Sequence, residues 1–153
     1  MQVQNFLKIG RALKMFSIIT FLLTSLHSCQ VQLVPQYNAE LEQEIITAAK
    51  MSDKLYLEIM NAPTDKKDFG FYTDKYLDIE VEINSILLKN ETRPKAGDIV
   101  ASAQKLKDFF VKAMEDHKNK HTLSHGELLI YNEQLKAFWK PVLVEEMALK
   151  KVK

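Results

Sequence analysis

Three histidines, His117, His121 and His125, are the side chains best suited to ligate a metal or to move a proton near neutral pH. His117 and His121 are four residues apart, so on a helix they would share one face, as a site with two imidazole ligands requires. Glu115 and Asp116 could add oxygen ligands. Two features weigh against a metal. His125 falls across an expected helix break, and His117 lies on the apolar row of its own helix, where a hydrogen-bonded core histidine serves equally well. No Glu-x-x-His and no His-Glu-x-x-His occurs, so neither the di-iron carboxylate signature nor the zinc-protease signature is present.

Other chemistries fare no better. The pairs Glu80 with Glu82 and Glu145 with Glu146 are too close in sequence to face each other on a helix, and are expected to be solvated charges. There is no Gly-x-Ser-x-Gly, and after residue 28 the only glycines are Gly70, Gly97 and Gly126, too dispersed to cradle a phosphate. The expectation is no enzyme, no cofactor and no metal. The aromatic cluster Phe69, Phe71, Tyr72 and Tyr76 reads either as core at one end of a helical domain or as a groove for a ligand or partner helix. Trp139 beside Pro141 is a second place where a kinked helix could open an apolar surface patch.

The lone cysteine, Cys29, cannot form an internal disulfide, a paired redox site or a cysteine-rich zinc site. What precedes it gives it a different meaning. Met1–Lys14 carries Lys8, Arg11 and Lys14 and no acid, and residues 15–26 (MFSIITFLLTSL) are apolar but shorter than the ~20 residues of a spanning helix. That pattern is a secretory signal. Leu26-His27-Ser28-Cys29 resembles a lipobox, the processing site of bacterial lipoproteins. The resemblance covers the first fifth of the chain. It implies cleavage between Ser28 and Cys29 and lipid attachment to the Cys29 thiol. One acyl chain holds a protein only marginally, at ~0.8 kcal/mol per buried CH₂, so two or three chains are implied. His27 departs from the small or aliphatic residue usual at its place. Gln30, rather than aspartate, follows the cysteine, which by analogy with enterobacterial lipoproteins implies the outer membrane, facing the periplasm.

The remaining chain must build whatever the anchor presents. Of 21 basic residues three lie in residues 1–28, leaving 18 against 20 acidic ones, a balance that opposes nucleic-acid binding. Residues 29–37 are expected to form a lipidated tether broken by Pro35, and residues 38–153 one helical domain. Pro63, Pro94 and Gly126 cut that domain into segments near 38–61, 66–90, 96–120 and 124–149. Each carries a row at alternating steps of four and three, apolar but for Ser52: Leu41, Ile45, Ala48, Ser52, Leu55, Ile59; Tyr72, Tyr76, Ile79, Ile83, Ile86; Ile99, Ala103, Leu106, Phe110, Ala113; and Leu128, Tyr131, Leu135, Phe138, Val142. Asn38, Thr64, Asp65 and Ser124 with Glu127 are candidate helix caps. Gly70 stands to delay the second helix and Pro141 to kink the fourth. These features predict an all-α, antiparallel up-down-up-down four-helix bundle following a cleaved signal peptide.

The body is similar to small helical envelope lipoproteins of Gram-negative bacteria, in its length, its lipobox and its Asn90…Arg93-Pro94 hairpin. That likeness brings no mechanism with it. The expected role is a membrane-anchored, non-enzymatic module that binds another envelope protein. A ligand- or metal-binding bundle, and an immunity or inhibitor lipoprotein, are the alternatives.

Overall fold

The structure, a computed structural model, describes residues 33–152. Ser28 and Cys29 lie outside the described residues. The described chain has four helices: α1 (Ala39–Asn61), α2 (Thr73–Glu91), α3 (Gly97–Lys120) and α4 (His125–Ala148). Two 3₁₀ turns, Thr64–Lys66 and Phe69–Phe71, link α1 to α2, and a third, Leu149–Lys151, ends α4. The fold is an all-α four-helix bundle.

Local chemistry sets the helix ends. The Asn38 side chain accepts from the backbone N–H of Glu40 at 2.9 Å and of Leu41 at 3.2 Å, which satisfies two of the free donors at the start of α1. Ser124 and Glu127 form the expected capping box on α4: Glu127 N–H donates to Ser124 Oγ at 3.3 Å, and Ser124 N–H to Glu127 Oε2 at 2.8 Å. The second helix differs from expectation. Thr64 and Asp65 sit in a 3₁₀ turn and do not cap it, and α2 starts only at Thr73, three residues beyond Gly70, the glycine expected to delay it. Asp68 instead accepts from Gly70 N–H at 2.8 Å, and Phe69 N–H donates to the His121 carbonyl at 2.8 Å, so this stretch is held by side-chain and cross-loop bonds. α3 ends where His121 turns into positive φ, 62°, the conformation that stops a helix.

Packing follows the predicted rows. α1 buries Leu41, Ile45, Ala48, Ser52, Leu55 and Ile59; α2 buries Tyr76, Ile79, Ile83 and Ile86; α3 buries Ile99, Ala103, Leu106, Phe110 and Ala113. α1 and α3 each pack on both α2 and α4. Lys89 pairs with Glu44 and Lys75 with Glu58, so residue numbers fall along α2 as they rise along α1. The same inversion links α3 to α4, through Ser102 with Glu145 and Asp116 with Tyr131.

α4 is rotated from its expected register. Tyr131 and Phe138 are only half-buried, and the central row is Leu128, Asn132, Leu135, Trp139, Val142 and Glu146. Polar partners make that row affordable. Asn132 Nδ2 donates to Asp53 Oδ1 at 2.9 Å, and Trp139 Nε1 donates to Ser52 Oγ at 3.2 Å. Tyr131 and Phe138 move to the flank facing α3, where Phe138 stacks on Phe109 at 4.9 Å between ring centroids. α4 continues through Pro141, whose side chain is exposed, so water can serve the carbonyl that the proline leaves unbonded.

Candidate functional site

The described part of the expected tether is gripped by the bundle. Pro35 is buried, and Val34 and Tyr37 pack against the core. The grip centres on Glu146, whose side chain is 0% exposed at the last turn of α4. Its Oε1 accepts from Asn38 N–H at 2.8 Å and from Arg93 Nη2 at 3.2 Å, and its Oε2 accepts from Arg93 Nη1 at 2.6 Å. The two terminal nitrogens of the guanidinium therefore meet the two carboxylate oxygens, the paired geometry that favours arginine over lysine. Arg93 Nη1 also donates to Asn90 Oδ1 at 2.8 Å, and Nη2 donates to the Gln36 carbonyl. Asn90, 0% exposed, spends its amide on the Ile86 carbonyl at 2.9 Å. An outer layer closes over this clamp. Tyr37 Oη donates to Glu42 Oε2 at 2.6 Å, Lys150 pairs with Glu42 at 2.7 Å, and the Lys150 ammonium lies 5.2 Å from the Tyr37 ring centroid. The Lys150 ammonium and the Tyr37 hydroxyl hold the Glu42 carboxyl below its usual range.

The clamp corrects the expectation that Glu145 and Glu146 are both solvated. Glu146 is buried in an ion pair, and Glu145 is half-buried with Oε1 accepting from Ser102 at 3.0 Å. Two signals in the sequence point to it. Glu146 lies four beyond Val142 on the buried row of α4, and Arg93 is the only arginine after residue 28.

The histidines are not brought together. His117 is 0% exposed, and both its ring nitrogens are occupied. Nε2 lies 2.9 Å from the Lys67 carbonyl, which can only accept, so Nε2 carries the proton and Nδ1 accepts from Tyr76 Oη at 3.0 Å. Its neutral ring is a bond-sharing core group with no lone pair free for a metal. His121 has left the helix at the α3 C-cap, with its side chain 79% exposed and 3.7 Å from Asp68. His125 is exposed on α4, Glu115 is exposed on α3, and Asp116 is engaged by Lys120 and Tyr131. No group of three potential ligands forms among the described residues.

The aromatic cluster closes this end of the bundle. Phe69 stacks on Tyr76 at 5.4 Å and meets His117 edge-on at 5.6 Å, and Tyr72 is buried. Phe71 alone points outward, 56% exposed, beneath the Lys66 ammonium. The rings therefore fill space rather than line a groove.

Burial pushes the His117 imidazole below its ordinary 6.5, against the opposing pull of the Lys67 carbonyl and the Asp68 and Asp116 carboxylates. The folded chain then binds this proton more weakly than the unfolded chain. Stability from His117 is complete above 6.5 and is lost as pH falls from 6.5 through the lowered folded value. The thermal midpoint is expected to drop between pH 7.5 and 5.5, and His117→Gln to flatten that slope whatever it does to the midpoint itself. An equal slope in both proteins would contradict the assignment.

Two grooves flank α1. One lies over its outer face between Lys50, Asp53, Leu57 and Asn61, the other between α1 and α2 beside Met51, Lys75 and Ile79, and both open to solvent. None of the described helices is long and apolar enough to cross a membrane. No protein-family model, no curated protein and no solved structure matches the chain.

Proposed function

We propose that this chain is an envelope lipoprotein, cut between Ser28 and Cys29, held to a membrane by lipid on Cys29, and working without catalysis as a docking module for another envelope protein. The observation that carries the reading is the order basic segment, apolar segment, Leu26-His27-Ser28-Cys29. The clamp supports it: Arg93 and Glu146 hold the chain at Gln36 and Asn38, and Gln36 lies seven residues after Cys29. An anchor tied this closely to one end of a bundle limits how far the bundle strays from the membrane, since seven extended residues reach ~25 Å at most. The module reading rests on the outer face of α2, where Leu77, Val81 and Leu88 are 50%, 64% and 62% exposed in one row. Asp74, Asp78, Glu80 and Glu91 flank that row, so a partner with a basic rim fits it.

The test is acyl labelling. Cells fed a tagged fatty acid should yield labelled protein in the membrane fraction. Cys29→Ser should lose the label entirely and accumulate the longer precursor. Unlabelled wild-type protein, or label that survives Cys29→Ser, would sink the lipoprotein reading.

A further inference from the structure

α4 carries apolar side chains on two opposite faces. One is the buried row. On the other, Ile130, Ala137, Pro141 and Val144 line up outward, with Gln134 the polar member among them, and Ile130 and Val144 are 56% and 52% exposed. The outer face of a bundle helix is normally polar, and an apolar row left in water calls for a cover.

We propose that the cover is a second copy of this chain, with α4 packed antiparallel on α4 about a two-fold axis through Ala137. Charge placement selects this occupant. Glu133 and Lys140 stand on the same edge of the row, on opposite sides of Ala137 along the helix. At 3.6 residues per turn, their directions differ by only about 20°. A two-fold axis perpendicular to α4 keeps that edge on its own side while reversing the chain. Glu133 of one copy then lies alongside Lys140 of the other, and the reverse pair forms as well. Ile130 falls opposite Val144 by the same operation. Ala137, on the axis, contributes only a methyl group, which permits close helix packing at ~8 Å.

The other arrangements lose this match. A parallel pairing carries the charged edge to the far side, where Glu133 meets Phe138 and finds no cation, and Lys140 comes beside Glu145, which is half-buried and already held by Ser102. Pairing through α2 opposes like charges, because Asp74, Asp78, Glu80 and Glu91 border its apolar row. The groups themselves are available. Lys140 makes no ion pair among the described residues, and Glu133, 71% exposed, meets only Lys136, which also reaches Asp53 at 3.1 Å. The contact is isologous and closes on itself, so it yields dimers rather than fibres. In a lipidated pair the two clamps would lie at opposite ends of the seam, so both anchors reach one bilayer when α4 lies along its surface.

The test is the mass of the detergent-extracted full-length chain, by sedimentation across a concentration series, with helix content checked by circular dichroism. Wild type should form a dimer. Lys140→Glu alone and Glu133→Lys alone each set like charges at both pairs and should weaken it at least about tenfold, while the double reversal should recover to within about threefold of wild type. Lys140→Glu is the cleaner single variant, since Glu133→Lys also removes the contact with Lys136. A monomeric wild type, single variants that dimerise unchanged, or a native-like double variant that stays monomeric would each overturn the seam. The measurement is indifferent to acylation, so its failure leaves the anchoring proposal standing.

Discussion

Glu146→Ala is expected to cost about 3–5 kcal/mol of folding stability, the range for removing one partner of a buried ion pair. The magnitude comes from what is left behind. Arg93, with its side chain 14% exposed, would keep its charge but lose both carboxylate bonds, and Asn38 N–H would lose its acceptor. Arg93→Ala should cost a similar amount, because it leaves the fully buried carboxylate with Asn38 alone. The double variant should cost less than the two single losses together, because the second substitution removes the group stranded by the first. Urea unfolding of all four proteins supplies this cycle. Additive losses would mean that the two side chains act independently and that the clamp is not a unit. The losses should have a local signature too. Each single variant removes one of the two bonds that hold the chain at Gln36 and Asn38, so a protease should cut between Leu33 and Tyr37 at a folded-state rate above that of wild type.

Apolar periodicity located the four helices to within a residue or two, except for the start of α2. Hydrophobic burial supplies most of the stability of a helix, and its periodic signal survives substitution of individual residues. The late start of α2 is marked by Gly70 and by an apolar row that opens only at Tyr72, but its cause is not legible, because the short-range bonding of Asp68 and the link from Phe69 to His121 leave no periodic trace. The register of α4 is hidden in the sequence for a related reason. Tyr131 and Phe138 looked more suitable for the core than Asn132 and Glu146, yet the row had room for polar groups whose partners sit on α1 and beside α2. A polar residue on a buried row is legible only once its partner is known, and Asp53 and Arg93 are far away in the chain. The histidine pair fails in the opposite direction. Spacing placed His117 and His121 together, but the positive φ of His121 takes it off the helix face before the second imidazole can align.

Phe110→Ala should be the most destabilising single truncation in the apolar core, at about 3–5 kcal/mol, by lost transfer energy plus the cavity left behind. Phe110 is 0% exposed, one turn beyond the equally buried Leu106, and its ring lies 5.9 Å from that of Tyr76. Tyr76 is pinned in turn by His117, so the pocket has little freedom to collapse around the gap. Phe109, its chain neighbour, provides the control. It is half-buried on the flank, stacked on Phe138 and tilted against Tyr131 at 6.1 Å. Removing it should cost about 1–2 kcal/mol, made up of partial burial and the aromatic contacts. The pair is decisive because adjacent residues on a helix point about 100° apart, so both cannot occupy the centre of one interface. Chemical denaturation of the two alanine variants reads the difference directly. A larger loss at Phe109 than at Phe110 would mean that α3 sits in the bundle rotated from the arrangement described here, and the assignment of His117 to the core would fall with it.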